Sequence, residues 1–263
     1  MGLNLQRDEL LHEPEIQTGD HSLAGTQRLI AVDIVRGLAI AGVVLFHLVW
    51  DVEFTGIISG VAQHPAWLMF GRSLAGTFMI LVGVSLVLAH RTQIRWSPFM
   101  RRLSIIALAA AAVTIMTYLV FPASFVYFGI LHAIAAATLI GALFISAPAS
   151  LCLAAGTAIF ALPFVYESTA FDTRLMAWIG FFTEPPPSND FVPIFPWVGL
   201  TLFGMAATKW LLTVDLEGYL SRSAPQGRTA RFLVWCGRRS LVIYLVHQPV
   251  LLAIIVPVSK LLI

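Results

Sequence analysis

Charge is scarce in this chain. Asp, Glu, Lys and Arg make up 11% of its 263 residues, where an ordinary soluble domain carries roughly 25%. The net charge is only +2, which gives no reason to expect a nucleic-acid partner. Cysteine is scarcer still, with Cys152 and Cys236 alone, which excludes a disulfide framework or a cysteine-built zinc cluster. The first 27 residues hold no apolar stretch of signal-peptide type, and Gly2 is followed at position 6 by Gln rather than the Ser or Thr of a myristoylation signal. No internal repeat is visible. What remains is apolar: 58% hydrophobic residues and a mean hydropathy of +0.85. A soluble core of this size cannot hide so much apolar surface, and the chain reads as an integral membrane protein.

A spanning helix needs about 20 mostly apolar residues. Seven segments qualify, at 29–50, 66–90, 102–121, 127–146, 148–166, 193–213 and 239–261. The expected fold is therefore an all-α polytopic bundle of about seven transmembrane helices over 28–263, preceded by a mobile polar cytoplasmic tail at 1–27. Lys and Arg collect in cytoplasmic loops. With the N-terminus inside and the C-terminus outside, twelve of them, from Arg7 to Arg239, fall on the inner side and only Arg174 and Lys260 on the outer. Pro148 should open the fifth helix. The longest outer loop, 167–192, contains the aromatic run "TRLMAWIGFF" followed by "EPPPSND", and predicts an interfacial or re-entrant helix at 171–183 leading into an extended lid.

Against this background the first span, "AVDIVRGLAIAGVVLFHLVWD", is conspicuous for Asp33, Arg36, His47 and Asp51. Ionisable groups in hydrocarbon are costly and normally face a bundle interior or a wet cavity. At about 100° per residue, the four fall within an arc of about 60°. They form one stripe with an inner pair, Asp33 and Arg36, and an outer pair, His47 and Asp51. The seven-span map brings Arg72, His64 and His132 to the same outer half, and "SLVIYLVHQPVLL" sets His247 near the middle of the last helix beside Pro249. His47 with Asp51 one turn on suits a base and the carboxylate that orients it. The same spacing could hold a metal ion, but Arg72 nearby disfavours a cation, and no metal is expected. Paired structural charges and an interfacial cap are the bland readings of the same residues.

At these residues the chain resembles the integral-membrane acyltransferases related to heparan-alpha-glucosaminide N-acetyltransferase, in a short bacterial-type form. The resemblance rests on "VDIVRGLAI" and "FHLVWD" in the first helix, "FMILVGVSLVLA" in the second, "YFGILHAIA" in the fourth, "IFPWVGLTLFG" in the sixth and "SLVIYLVHQPV" in the last. It implies transfer of an acyl group, typically acetyl, from cytosolic acyl-CoA as co-substrate to an extracytoplasmic acceptor, often a sugar or glycan, in a bacterial inner membrane. It makes His47, Asp51 and His132 the catalytic candidates. Asp33 and Arg36 would line the cavity, with Arg238 and Arg239 holding the CoA phosphates and Arg72, His64 and His247 facing the acceptor. The expected partners are membrane lipid and that acceptor, with a homo-oligomer left open. The alternative is a proton-coupled transporter or permease, since proton relays also use intramembrane Asp, Arg and His.

Overall fold

A computed structural model describes residues 21–90, 93–214 and 227–262. The described part is helical, with one isolated β-bridge between Phe128 and Phe191. The helices are α1 (His21–Phe54), α2 (Pro65–His90), α3 (Trp96–Val120), α4 (Ile130–Ala142), α5 (Ala149–Ala161), α6 (Ile194–Thr213), α7 (Arg228–Arg238) and α8 (Ser240–Leu262). Positions 1–20 of the expected tail lie outside the described residues, and α1 already begins at His21.

Five stretches are long and apolar enough to cross a bilayer: Ile30–Phe54, Pro65–His90, Trp96–Val120, Ile194–Thr213 and Ser240–Leu261. The fourth and fifth expected spans are shorter than the sequence suggests. Helices α4 and α5 have 13 residues each, about 20 Å at 1.5 Å per residue, against a hydrocarbon core of about 30 Å. A 3-10 turn, Leu162–Phe164, lengthens α5 by one turn. The missing turns of α4 are taken by two backbone structures. Before it, residues 121–129 form a loop that returns to α3, where the Thr117 hydroxyl accepts from the Val126 N–H at 3.0 Å. After it, the Lys209 ammonium of α6 donates to the carbonyls of Phe144 and Ile145 at 2.9 and 2.7 Å and to that of Ala147. Those carbonyls would otherwise continue the helix. Pro148 does stand immediately before α5.

Packing is closest where glycines let backbones touch, as small residues do between membrane helices. A Cβ on Gly83 would meet the Thr201 carbonyl and one on Gly204 the Ile80 carbonyl, which fixes α2 against α6. The Thr201 hydroxyl donates to the Met79 carbonyl at 2.9 Å in the same contact. Met79, Val82, Leu86, Val198, Leu202 and Met205 fill the core between them. A second crossing, Gly37 on Leu233 and Gly237 on Asp33, sets α7 along α1. The outside of the bundle is apolar, with Leu108, Leu119 and Phe164 each at least 70% exposed, as lipid-facing side chains should be.

The contacts sort the helix ends into two poles. At one pole lie Asp33, Ser85, Arg102 and Arg238; at the other lie Asp51, the loop before α4, residues 188–192 and Gln248. Helix α8 runs parallel to α1, since Arg238, two residues before α8, meets Asp33 and Gln248 within it meets Asp51.

The long loop between α5 and α6 contains no interfacial or re-entrant helix. Its first half makes only the short 3-10 turns Thr169–Phe171 and Ala177–Ile179, because Tyr166, Phe171, Phe181 and Phe195 cluster on one another and fold the segment back. Asp172 closes it, accepting from the Thr183 hydroxyl at 2.6 Å and from the N–H groups of Thr183 and Glu184. The Thr183 hydroxyl in particular holds the Asp172 carboxyl below the ordinary carboxylate range. The extended part is laced to the loop before α4 through Asn189 N–H to the Ser124 carbonyl and Val192 N–H to the Phe128 carbonyl.

Candidate active site

A cavity of about 1040 Å³ connects the two poles. This is at the upper end of the range for small-molecule sites, roughly 300–1,000 Å³. Arg36, Arg95, Arg101, Arg102 and Arg238 line one end; His47, Arg72, Asp190 and Tyr244 line the other. Between them the walls are apolar, with Ile40, Val43, Phe78, Ile106 and Leu131. Arg36 and His47 are eleven residues apart on α1, about 16 Å along the axis.

At the arginine end Asp33 is a hub. Its carboxylate accepts from Arg36 Nη1 and Arg238 Nε, each at 3.0 Å, and Arg36 Nη2 donates to Ser85 Oγ at 3.0 Å. Asp33 itself is buried and stands behind the cavity wall; Arg36 and Arg238 face the space. Arg239 does not join them. Its guanidinium lies 4.9 Å over the Trp235 ring, because α7 ends there and the next residue begins α8. Arg95, Arg101 and Arg102 take that place. The sequence already marked them as an inner-loop cluster, but nothing in their spacing aims them at a cavity.

At the other end, the hydrogen bonds separate the histidines by tautomer. His47 Nδ1 lies 2.9 Å from the Val43 carbonyl. A carbonyl only accepts, so Nδ1 carries the proton and Nε2 keeps a free lone pair. His247 repeats the pattern, with Nδ1 2.6 Å from the Tyr244 carbonyl, and its ring centroid is 4.7 Å from that of His47. His132 is the opposite case. The Gly129 N–H donates to its Nδ1 at 3.2 Å. The Thr114 hydroxyl spends its proton on the Val126 carbonyl at 2.7 Å. Nε2–H of His132 must then donate to the Thr114 oxygen, 3.2 Å away. Both nitrogens of His132 are used to hold the start of α4.

The expected His47–Asp51 bond is absent among the described residues. The His47 ring leans back one turn, as helical side chains do, and the fully buried Asp51 instead accepts from Gln248 Nε2 at 2.7 Å. Arg72 reaches the outer rim of the cavity. His64 lies outside it, in a shallow separate groove with Leu45, Trp67 and Phe70, where its Nδ1 accepts from the Ala66 N–H at 3.3 Å.

Asp190 escaped the sequence reading because it sits in a Pro-rich loop with no helical period. Its Oδ2 accepts from the Ile130 N–H at 2.8 Å and the Tyr244 hydroxyl at 3.1 Å, joining the loop to α4 and α8. Burial pushes its carboxyl above the ordinary range, outweighing the two hydrogen bonds and the nearby His132 and His247 that favour the anion. Its only signal in the sequence is an acid adjoining the "FVPIFPW" stretch that opens α6. No group of His, Cys, Asp and Glu suited to a metal ion occurs among the described residues.

No curated protein and no solved structure matches the chain. Residues 28–249, which contain the whole cavity, match the family model for the catalytic domain of heparan-alpha-glucosaminide N-acetyltransferase. The chain thus belongs to that family, as a multi-pass membrane protein built on its transferase domain.

Proposed function

We propose that the protein is an acyltransferase that takes an acyl group, acetyl in the first instance, from acyl-CoA at the arginine pole and passes it to an acceptor, a sugar or glycan, at the opposite pole. The observation that carries this reading is the single cavity with five arginines at one end and His47 at the other. Arginine forks suit phosphate oxygens, and the apolar waist suits a pantetheine arm. The distribution of Lys and Arg supports a cytoplasmic arginine pole, with α4 and α5 as a pair of short segments completing seven passes in an inner membrane.

His47 is the base in this scheme, because its Nε2 is free and its ring lines the cavity. The acceptor's O–H or N–H proton goes to Nε2 and the acceptor atom bonds to the thioester carbon. The C–S bond then breaks, and the proton ends on the CoA thiol. Arg72 is the cation available to the developing oxyanion. His132 and Asp190 position the walls. A proton-coupled transporter using the same charges would have no reason to bind acyl-CoA. Calorimetry in detergent with a non-hydrolysable acyl-CoA analogue separates the two. Binding that weakens in Arg101→Gln and Arg102→Gln is expected, and no binding to the wild type would overturn the acyltransferase reading.

A further inference from the structure

Asp51 and two consecutive residues of α8, His247 and Gln248, each carry a buried hydrogen-bond acceptor that no donor meets. Asp51 Oδ2, Gln248 Oε1 and His247 Nε2 are all buried and unpartnered; the other such group among the described residues, the Trp67 Nε1–H, belongs to the side chain that lines the separate groove with His64. Asp51 and Gln248 already share one bond, from Nε2 to Oδ1 at 2.7 Å. A carboxylate with a single hydrogen bond and no cation is a costly thing to bury. The ion pairs among the described residues are both on Asp33. Each titratable neighbour is committed elsewhere. On α1, His47 Nδ1–H goes to the Val43 carbonyl, and Glu53 accepts from the N–H groups of Gly60, Val61 and Ala62. On α8, His247 Nδ1–H goes to the Tyr244 carbonyl. From α2, Arg72 faces the cavity and His64 its separate groove.

We infer that Asp51 is a neutral carboxylic acid clasped to the Gln248 amide, a positioning pair that locks α1 to α8 behind His47. One proton on Oδ2 turns an orphan acceptor into the donor that Gln248 Oε1 lacks. Acid and amide then each give one hydrogen bond and take one. Exchanging the oxygen and nitrogen of the Gln248 amide leads to the same place. Oε1 would then face Oδ1 at bonding distance, and only a proton between them would make the contact favourable. The clasp holds Gln248 opposite the last turn of α1, and so sets the neighbouring His247 ring against His47. Asp51 therefore acts through the position of His47 and not as an anion that orients its ring.

Infrared spectroscopy of the whole protein in detergent tests the protonation without relying on any enzymatic activity. At neutral pH a carboxylic-acid carbonyl band that shifts in heavy water is expected, and it should vanish in Asp51→Asn. Should that variant not fold, Gln248→Leu removes the amide partner and should move the same band. An unchanged acid-band region in both variants, as a water-bridged anion would give, overturns the proposal. The kinetic arm rests on the acyltransferase reading. Asp51→Ala should lower acyl-CoA turnover by about tenfold or more, and Asp51→Asn, which can make the same two bonds, should recover most of it. Failure of Asp51→Asn to recover turnover, with Tm and acyl-CoA binding intact, would mean that Asp51 works as an anion. Absence of any acyl-CoA turnover in the wild type would instead count against the acyltransferase reading and leave the infrared result to decide the clasp.

Discussion

His47 and His132 look equivalent in the sequence, each a histidine in an apolar helix at the same depth. The difference lies in what their nitrogens touch, which spacing along a helix cannot reveal. His47 has one nitrogen to give; His132 has none. Their alanine variants should therefore fail differently. His47→Ala should keep its Tm and its acyl-CoA affinity while losing turnover by about 10²–10⁴-fold, the usual worth of a general base. His132→Ala strands the Gly129 N–H, at a cost of about 1–3 kcal/mol for a group left buried, and takes one donor from the Thr114 oxygen, which keeps its bond to Val126, so its first symptom should be a lower Tm. Thermal melts beside turnover assays distinguish the two, and equal Tm loss in both would remove the tautomer argument. Asp190 offers a pH test. Burial raises its carboxyl above the unfolded value of 3.8, so the folded protein holds that proton more tightly than the unfolded chain does. Its contribution is then fully present below 3.8 and is lost as pH rises through the folded value. Asp190→Asn accepts from Ile130 and Tyr244 without titrating. The Tm of wild type minus that of Asp190→Asn should fall as pH rises above 3.8, and a difference that rises instead would contradict the assignment.

Five of the seven predicted spans are helices long and apolar enough to cross a bilayer. The fourth and fifth are not, and the reason is local. Hydropathy counts apolar residues, but the ends of α4 are decided by polar side chains that arrive from elsewhere in the chain: Thr117, Asp190 and above all Lys209. Lys209 is an unremarkable cation near the inner end of the sixth span until the fold brings three carbonyls to it. The aromatic run at 173–182 misleads in the same way, because its rings pack on rings from outside the run, Phe181 on Tyr166 and Phe171, Trp178 on Phe128 and Phe182 on Phe191, rather than along a helix face. Two substitutions test elements rather than sites. Lys209→Met leaves the carbonyls of Phe144, Ile145 and Ala147 without their donor and should destabilise by about 1–3 kcal/mol or more, read as a lower denaturation midpoint in detergent. Gly37→Ala puts a methyl against the Leu233 carbonyl. Moving α7 aside costs about 1–3 kcal/mol and pulls Arg238 from Asp33, so acyl-CoA affinity should drop along with Tm. Full affinity in Gly37→Ala would show that the crossing does not set the arginine end.

At the scale of the whole molecule, the two poles are electrostatically unlike, and that asymmetry was readable from Lys and Arg counts alone. What the sequence could not supply was the route between them, since the residues of the cavity wall come from most of the helices and the loop at 189–192. The asymmetry makes two linked expectations. Screening shortens the reach of exposed charges to about 10 Å at 0.1 M salt, so acyl-CoA binding should weaken steeply as salt is added, and less steeply once Arg101 and Arg102 are both Gln. Each of these replacements should cost on the order of tenfold in Kd, or about 1.4 kcal/mol. The proposed transfer also requires the poles to face opposite sides of the membrane. Gln93 and Glu184 are exposed near opposite poles, while the native Cys152 and Cys236 are buried and should react slowly. In intact cells a membrane-impermeant maleimide should label Glu184→Cys and spare Gln93→Cys until the membrane is opened. The reverse pattern would place the arginine end outside, away from cytosolic acyl-CoA, and would break the link between the cavity and the direction of transfer. Labelling of both in intact cells would mean that the two poles share one side, so that the cavity does not cross the bilayer.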